Sequence, residues 1–171
     1  MIRIGQGFDT HPFEKDKPLV LGGVTIDHPY GLKGHSDGDA LTHAICDALL
    51  GALALGDLGQ HFSDTDPTNK NRNSMDFLKA VYQKIQARGW KLINVDSTII
   101  TEKPKLKDYI NEIRSNLSKV MMVPVDHISV KATRPEKMGA LGRDEGLAAT
   151  VVVLIGKSDL RWDLKEPTLE C

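Results

Sequence analysis

The sequence predicts an α+β fold, a single two-layer domain in which a mixed β-sheet is covered by helices. Three observations carry this expectation. Residues 148–155, AATVVVLI, are almost continuously apolar, the pattern of a central strand covered on both faces. Leu41, Ile45, Ala48, Leu49 and Ala52 recur at helical spacing in a segment otherwise made of Ala, Leu, Ile and Gly. A hairpin, helices and further strands then follow one another in mixed order, with no internal repeat.

In chain order, residues 2–8 read as a strand, with Ile2, Ile4 and Phe8 at even spacing. Residues 19–21 and 24–26 flank Gly22-Gly23, a tight hairpin. A helix in the middle of 34–59 follows, and Ser36 is placed as its N-cap, with Asp39 three residues on, close to a capping box. The loop GDLGQHFSDTDPTNKNRN is long, which marks a functional or mobile segment. Ser74 is set to cap a second helix with Phe77, Leu78, Val81 and Ile85 on one face, ended by Gly89. Residues 95–100 are β-rich. A third helix over 108–121 turns Ile110, Ile113, Leu117 and Val120 inward and stops before Pro124. Residues 128–132 form a strand, and 135–141 a short helix with Pro135 in its first turn. The expected domain is 1–156. Residues 157–171 are a polar tail, apart from Leu160, Trp162, Leu164 and Leu169.

Composition narrows the function classes. The chain has 171 residues, 40% hydrophobic and 26% charged, enough for one well-formed core. A net charge of −1 argues against a broad nucleic-acid surface. No apolar run reaches transmembrane length, and the first residues read as a strand instead of a signal peptide. Cys46 sits in a helix and Cys171 at the last position, which suggests no disulfide framework and fits a reducing cytoplasm.

The ionisable residues cluster between Gly34 and Gly59. Asp39, His43 and Asp47 fall at i, i+4 and i+8 and form one polar stripe. Such a stripe must face water, a partner or a ligand, because charge buried without partners is costly. Asp9 and His11 lie two apart at a strand end and project to the same side. With His43 they make a three-ligand set with an open fourth position, the pattern of a catalytic zinc site; spacing alone equally fits a chance Asp-x-His and a solvated histidine. Asp47, one turn beyond His43, suits either a carboxylate orienting that imidazole or a solvated one. His35 and Ser36 precede the helix, where free N–H groups attract anions, or where Ser36 simply caps. Asp57, Asp64 and Asp66 line the long loop. Lys131, Arg134, Glu136, Lys137 and Arg143 stand among small residues, a phosphate-and-cation segment or an exposed charged loop.

These pieces, in this order, resemble the 2-C-methyl-D-erythritol 2,4-cyclodiphosphate synthase family of the non-mevalonate isoprenoid pathway. The resemblance spans residue 3 to about 155. It rests on RIGQGFDTH, LGGV, GLKGHSDGDALTHAICDALLGALALGDLGQHFSDTDP, NVDSTII, PKL, VKAT and EKMGALGRDEG. It implies Zn²⁺ on Asp9, His11 and His43. It implies substrate phosphate on His35 and Ser36, with His35 stabilising the transition state. Asp57, Leu58 and Gly59, with Phe62, Ser63, Asp64, Thr65 and Asp66, match the loop that holds the methylerythritol part. Thr101, Pro104, Lys105, Leu106 and Lys107 match the loop that closes on cytidine from a neighbouring subunit. Thr133, Arg134, Pro135 and Glu136 match the diphosphate segment, Glu136 holding Mg²⁺ or Mn²⁺. Ala140 and Arg143 match further substrate positions. The implied assembly is a homotrimer with active sites between subunits, and the implied partner is a cytidine diphosphate substrate, with no nucleic acid or membrane.

Some positions depart from the family pattern. Arg134 and Pro135 stand where small polar residues are usual, one of them a transition-state contact, although a guanidinium also stabilises phosphate charge. Ser63 replaces a usual Pro, Asp144 a usual Gly, and Ala140 a frequent aromatic residue. The implied lyase reaction is attack of the substrate's 2-phosphate on its own β-phosphate, releasing CMP. That nucleophile is already an anion, so no general base is required. The rival readings are a zinc hydrolase acting on a phosphate ester and a trimeric metal- or nucleotide-binding module.

Overall fold

The computed structural model describes residues 1–63, 65–69 and 72–159. Its elements run β1 (Ile2–Lys15), β2 (Leu19–Leu21), β3 (Val24–Ile26), β4 (Tyr30–Leu32), α1 (Ala40–Ala52), α2 (Leu58–His61), α3 (Ser74–Ala87), β5 (Trp90–Ile100), α4 (Ile110–Met121), β6 (Ile128–Thr133), α5 (Gly139–Gly142) and β7 (Gly146–Lys157). One sheet has the order β4-β1-β7-β5-β6, and β2-β3 form a separate ribbon. The sheet is mixed: β5 and β6 are parallel and the other neighbours antiparallel. The ribbon turns on Gly22 and Gly23, both at positive φ, as a tight hairpin requires.

The central packing event is α1 lying on β1. Odd residues of β1 face the helix, and two of them are Gly5 and Gly7. A Cβ on Gly5 would lie 1.8 Å from the Ala48 carbonyl oxygen, and one on Gly7 would lie 1.9 Å from that of Ala44. Ala44, Ala48 and Ala52 recur every four residues. Four helical residues rise about 6.0 Å and two strand residues about 6.7 Å, so the two rows stay in step. Backbone therefore meets backbone, and the next odd residues of β1, Asp9 and His11, come level with the start of α1. Val151, Val153 and Ile155 of β7 continue the same buried face.

The other face of the sheet is not covered by any described helix. Ile4 is 69% exposed, Phe8 55% and Val152 45%. The even spacing of Ile2, Ile4 and Phe8 thus marks the bare face, while the glycines mark the packed one. The same finding corrects the expectation that 148–155 is covered on both faces.

Other boundaries shift for local reasons. Asp39 caps α1, accepting from Thr42 N–H, so Ser36 is not the cap. Asn73 caps α3, and Gly89 follows its end at φ 73°. β1 and β5 are longer than their apolar cores. The helix expected over 135–141 shrinks to α5, because Glu136 and Lys137 sit at φ 54° and 64°, values no right-handed helix contains. β7 extends through Lys157, and Ser158 N–H donates to Gly89 C=O. The rest of the expected tail, 160–171, lies outside the described residues. Among the described residues no helix is long and apolar enough to cross a membrane.

Gly7→Ala should cost at least about 2 kcal/mol, since overpacking against backbone cannot relax by a rotamer change. Urea unfolding of the variant beside wild type checks this.

Candidate metal centre

Asp9 and His11 reach the site from β1, and His43 from the first turn of α1. Asp9 Oδ2 lies 2.9 Å from His11 Nε2 and 3.1 Å from His43 Nδ1. One ligand atom from each of the three residues falls within 4.8 Å of the others. Burial raises the pKa of Asp9, but hydrogen bonds from His11 and His43 and their positive charge outweigh it, holding the carboxyl well below the usual range. The Asp9 hydrogen bond likewise raises the pKa of His11 against its burial.

The donor set suits a divalent cation. A carboxylate and two imidazoles, half-buried, match the composition of three-ligand zinc sites. Each imidazole is held by its other nitrogen. His11 Nδ1 lies 2.8 Å from Lys33 C=O, and His43 Nε2 lies 2.8 Å from Ser74 Oγ and 3.1 Å from Ser36 Oγ. Those contacts leave His11 Nε2 and His43 Nδ1 facing Asp9, the geometry that outer contacts impose on metal-binding histidines.

The expected polar stripe on α1 divides by role. Asp39 is fully buried and accepts from Thr42 N–H at 2.9 Å, Thr42 Oγ1–H at 2.7 Å and Gly23 N–H at 2.9 Å. It faces neither water nor ligand; it ties the ribbon to the helix start, and burial pushes its pKa up. Asp47 accepts from Leu58 N–H at 2.7 Å and so anchors α2, instead of orienting His43. Burial raises its pKa, partly offset by that N–H. Cys46, on the same helix, is fully buried.

A cavity of about 290 Å³ opens beside the cluster, lined by His11, His35, Ser36, His43, Leu58, Gly59, Phe62, Asn69 and Phe77. Sequence reasoning missed Asn69, which carries no motif signal, and placed Phe77 only on a buried helix face. Arg72 was missed as well. Its guanidinium stacks 4.9 Å over the Phe77 ring and 5.6 Å over Phe62, holding the loop against the cavity. Asp57 caps α2 by accepting from Gln60 N–H. Ser63 bonds Thr65, and Asp66 accepts from Thr68 N–H, so these three close turns at the exposed rim. Asp64 lies outside the described residues.

A second cavity, about 300 Å³, is lined by Thr101, Pro104, Lys105, Leu106, Lys107, Ile110, Ala132, Thr133 and Arg134. Pro135 and Glu136 follow its wall, Ala140 lies on α5, and Arg143 Nε donates to Glu145 at 2.6 Å. None of these four lines either cavity. A single chain thus assembles the Asp9–His11–His43 side and leaves the second group of residues at the β5–β6 edge.

Fold and site define an α+β protein with an Asp–His–His cluster suited to a divalent cation, beside a pocket. The model of the YgbB family matches residues 2–156, and the chain belongs to that family. It is 56% identical over 154 residues to the 2-C-methyl-D-erythritol 2,4-cyclodiphosphate synthase of Acinetobacter baumannii (strain SDF), covering 90% of this chain and 96% of that one. It is 50% identical over 157 residues to the synthase of the same name from Bacillus cereus, covering 92% and 99%. Among solved structures, a bifunctional IspDF from Campylobacter jejuni aligns with TM-score 0.89 at 44% identity; this chain covers 42% of that longer protein, the match spanning 92% of this chain. A Plasmodium falciparum IspF in complex with CDP aligns with TM-score 0.82 at 34% identity, covering 92% and 97%. The protein is accordingly a lyase of isoprenoid biosynthesis.

Asp39→Ala would strand the N–H groups of Gly23 and Thr42, and should cost about 2–4 kcal/mol by loss of a buried cap. Thermal unfolding of the metal-free variant measures it.

Proposed function

We propose that the chain converts 4-diphosphocytidyl-2-C-methyl-D-erythritol 2-phosphate into 2-C-methyl-D-erythritol 2,4-cyclodiphosphate and CMP. The observation that carries this reading is the convergence of Asp9, His11 and His43 at the edge of a cavity that also holds His35 and Ser36. A 2-phosphate oxygen bonds to the β-phosphorus, the bond from the β-phosphorus to the bridging oxygen breaks, and CMP leaves with that oxygen and the electron pair. Asp9, His11 and His43 would hold Zn²⁺, and Glu136 together with the substrate's own diphosphate would hold Mg²⁺ or Mn²⁺. When bound, the cations supply Lewis-acid polarisation and neutralise the charge that repels an anionic nucleophile from a diphosphate.

The chain's own residues supply position. His35 and Ser36 receive substrate phosphate, with His35 stabilising the transition state. Asp57, Leu58, Gly59 and the 62–66 loop receive the methylerythritol part. Thr101 and Pro104 to Lys107 receive cytidine, and Thr133 to Glu136, with Ala140 and Arg143, the diphosphate. Arg134 is a catalytic contact in this reading, its guanidinium replacing a small polar side chain on the phosphate charge. Gripping both ends of one molecule brings the reacting phosphates into near-attack geometry, an effect that can contribute roughly 7–11 kcal/mol.

The assembly we propose is a homotrimer, with each site composed from two subunits. Support comes from the bare sheet face: Ile2, Ile4, Phe8 and Val152 form an exposed apolar surface of the kind that marks a subunit contact. The catalytic domain is read as 1–156, with 157–171 beyond it. The location is read as cytoplasmic, in keeping with Cys46 as a free thiol.

Incubation of the purified protein with the cytidylylated substrate, with and without chelator, tests the reading by chromatography. CMP and a cyclic diphosphate are expected, lost on chelation; an open bisphosphate would mean a hydrolase, and no turnover a binding module. His43→Ala should lose most bound zinc and CMP release by about 100-fold or more, with the fold intact. Glu136→Gln should lose activity and Mg²⁺ dependence while zinc content, read by elemental analysis, is retained.

A further inference from the structure

Ser74 is fully buried at the first position of α3, yet its side chain reaches the ligand on α1. Its hydroxyl hydrogen is committed: Ser74 Oγ donates to Asp37 Oδ1 in a short hydrogen bond. The other carboxylate oxygen, Asp37 Oδ2, accepts from Ser74 N–H at 2.9 Å. An ionised carboxylate only accepts, so the direction of both bonds is set. Ser74 Oγ is then left with lone pairs alone, and it lies 2.8 Å from His43 Nε2. That nitrogen must carry the hydrogen and donate it.

The consequence falls on the far side of the ring. With Nε2 protonated, His43 Nδ1, which faces Asp9 at 3.1 Å, is the nitrogen left to offer a lone pair to a cation bound between them. Asp37 is itself fixed. Its Oδ1 accepts from Asp39 N–H at 3.2 Å, and its own N–H donates to Arg72 C=O at 3.3 Å. The carboxylate also stands at the positive end of α3, where the helix dipole favours it. One acid therefore joins the starts of α1 and α3 and polarises the chain Asp37–Ser74–His43.

We propose that Ser74, oriented by Asp37, is a positioning residue that locks His43 in the Nε2–H form and so sets the affinity of the cation site. Ser74 lines neither cavity, and its action is on the ligand instead of the substrate. Ser36 Oγ also lies 3.1 Å from His43 Nε2, but Ser36 lines the pocket, so its hydroxyl is open to a bound phosphate. The division leaves Ser74 as the constant acceptor and Ser36 as the ligand-responsive one. The inference rests on the reading of Asp9, His11 and His43 as metal ligands.

The test uses zinc alone as the probe, titrated into the metal-free full chain against a chromophoric chelator. Ser74→Ala should bind zinc 10–100-fold more weakly, the range that loss of an outer contact to a ligand produces. Ser74→Thr, which keeps the hydroxyl, should bind within a few-fold of wild type. Circular dichroism and melting of the metal-free proteins separate this from misfolding. A readout on wild type needs no variant: in the zinc-loaded protein, nitrogen-edited NMR should show a His43 Nε2 hydrogen protected from solvent exchange. Equal zinc affinity in Ser74→Ala, or a freely exchanging Nε2 hydrogen in wild type, overturns the inference while leaving the metal site standing. Failure of wild type to take up zinc overturns both.

Discussion

The close approach of α1 to β1 is the constraint on which the site depends. Asp9 and His43 are 34 residues apart in the chain, and nothing local brings them together. Gly5 and Gly7 remove the side chains that would hold the helix away, and Ala44, Ala48 and Ala52 present the matching small surface. The helix settles at backbone contact, and His43 arrives 3.1 Å from Asp9. An ordinary side chain at either glycine would force the helix outward, and a shift of even an ångström or so separates ligands that a zinc ion needs at about 2 Å. The glycines thus act on chemistry through distance, with no contact to the pocket.

Electrostatics then makes the cluster receptive. The single carboxylate of Asp9 faces two imidazoles whose outer nitrogens are already engaged, by Lys33 C=O on one side and Ser74 on the other. Asp9 is kept ionised by these neighbours in spite of its burial. Other acids in the same stretch are spent on architecture. Asp39 joins the ribbon to the helix, Asp47 holds α2, and Asp57 caps it. Three acids within 19 residues thereby do separate tasks, decided by which backbone N–H each one meets.

Much of this was legible in the sequence. The helix register of Leu41, Ile45 and Leu49, the Gly-Gly hairpin and the strand nature of 148–155 all follow from periodicity and turn chemistry. The same-side projection of Asp9 and His11 follows from strand geometry. What the sequence hid was tertiary. Period-2 spacing in β1 shows two faces without saying which is inside, and here the glycine face is buried while Ile4 and Phe8 stay bare. Ser36 and Asp39 are both good caps by type, and in the structure it is the Asp39 carboxylate that meets Thr42 N–H. The roles of Ser74, Asn69 and Arg72 depend on where a long loop returns, which no local pattern encodes. The left-handed backbone at Glu136 and Lys137 was likewise invisible, since neither residue type favours it.

The family places the protein among the cyclodiphosphate synthases, and its geometry brings together three side chains suited to a divalent cation. The most direct check of that centre is anomalous diffraction at the zinc edge from crystals grown with zinc. A single strong peak about 2.0–2.2 Å from Asp9, His11 and His43 together is the predicted result. A peak elsewhere, with those three side chains still bonded only to one another, would contradict the account.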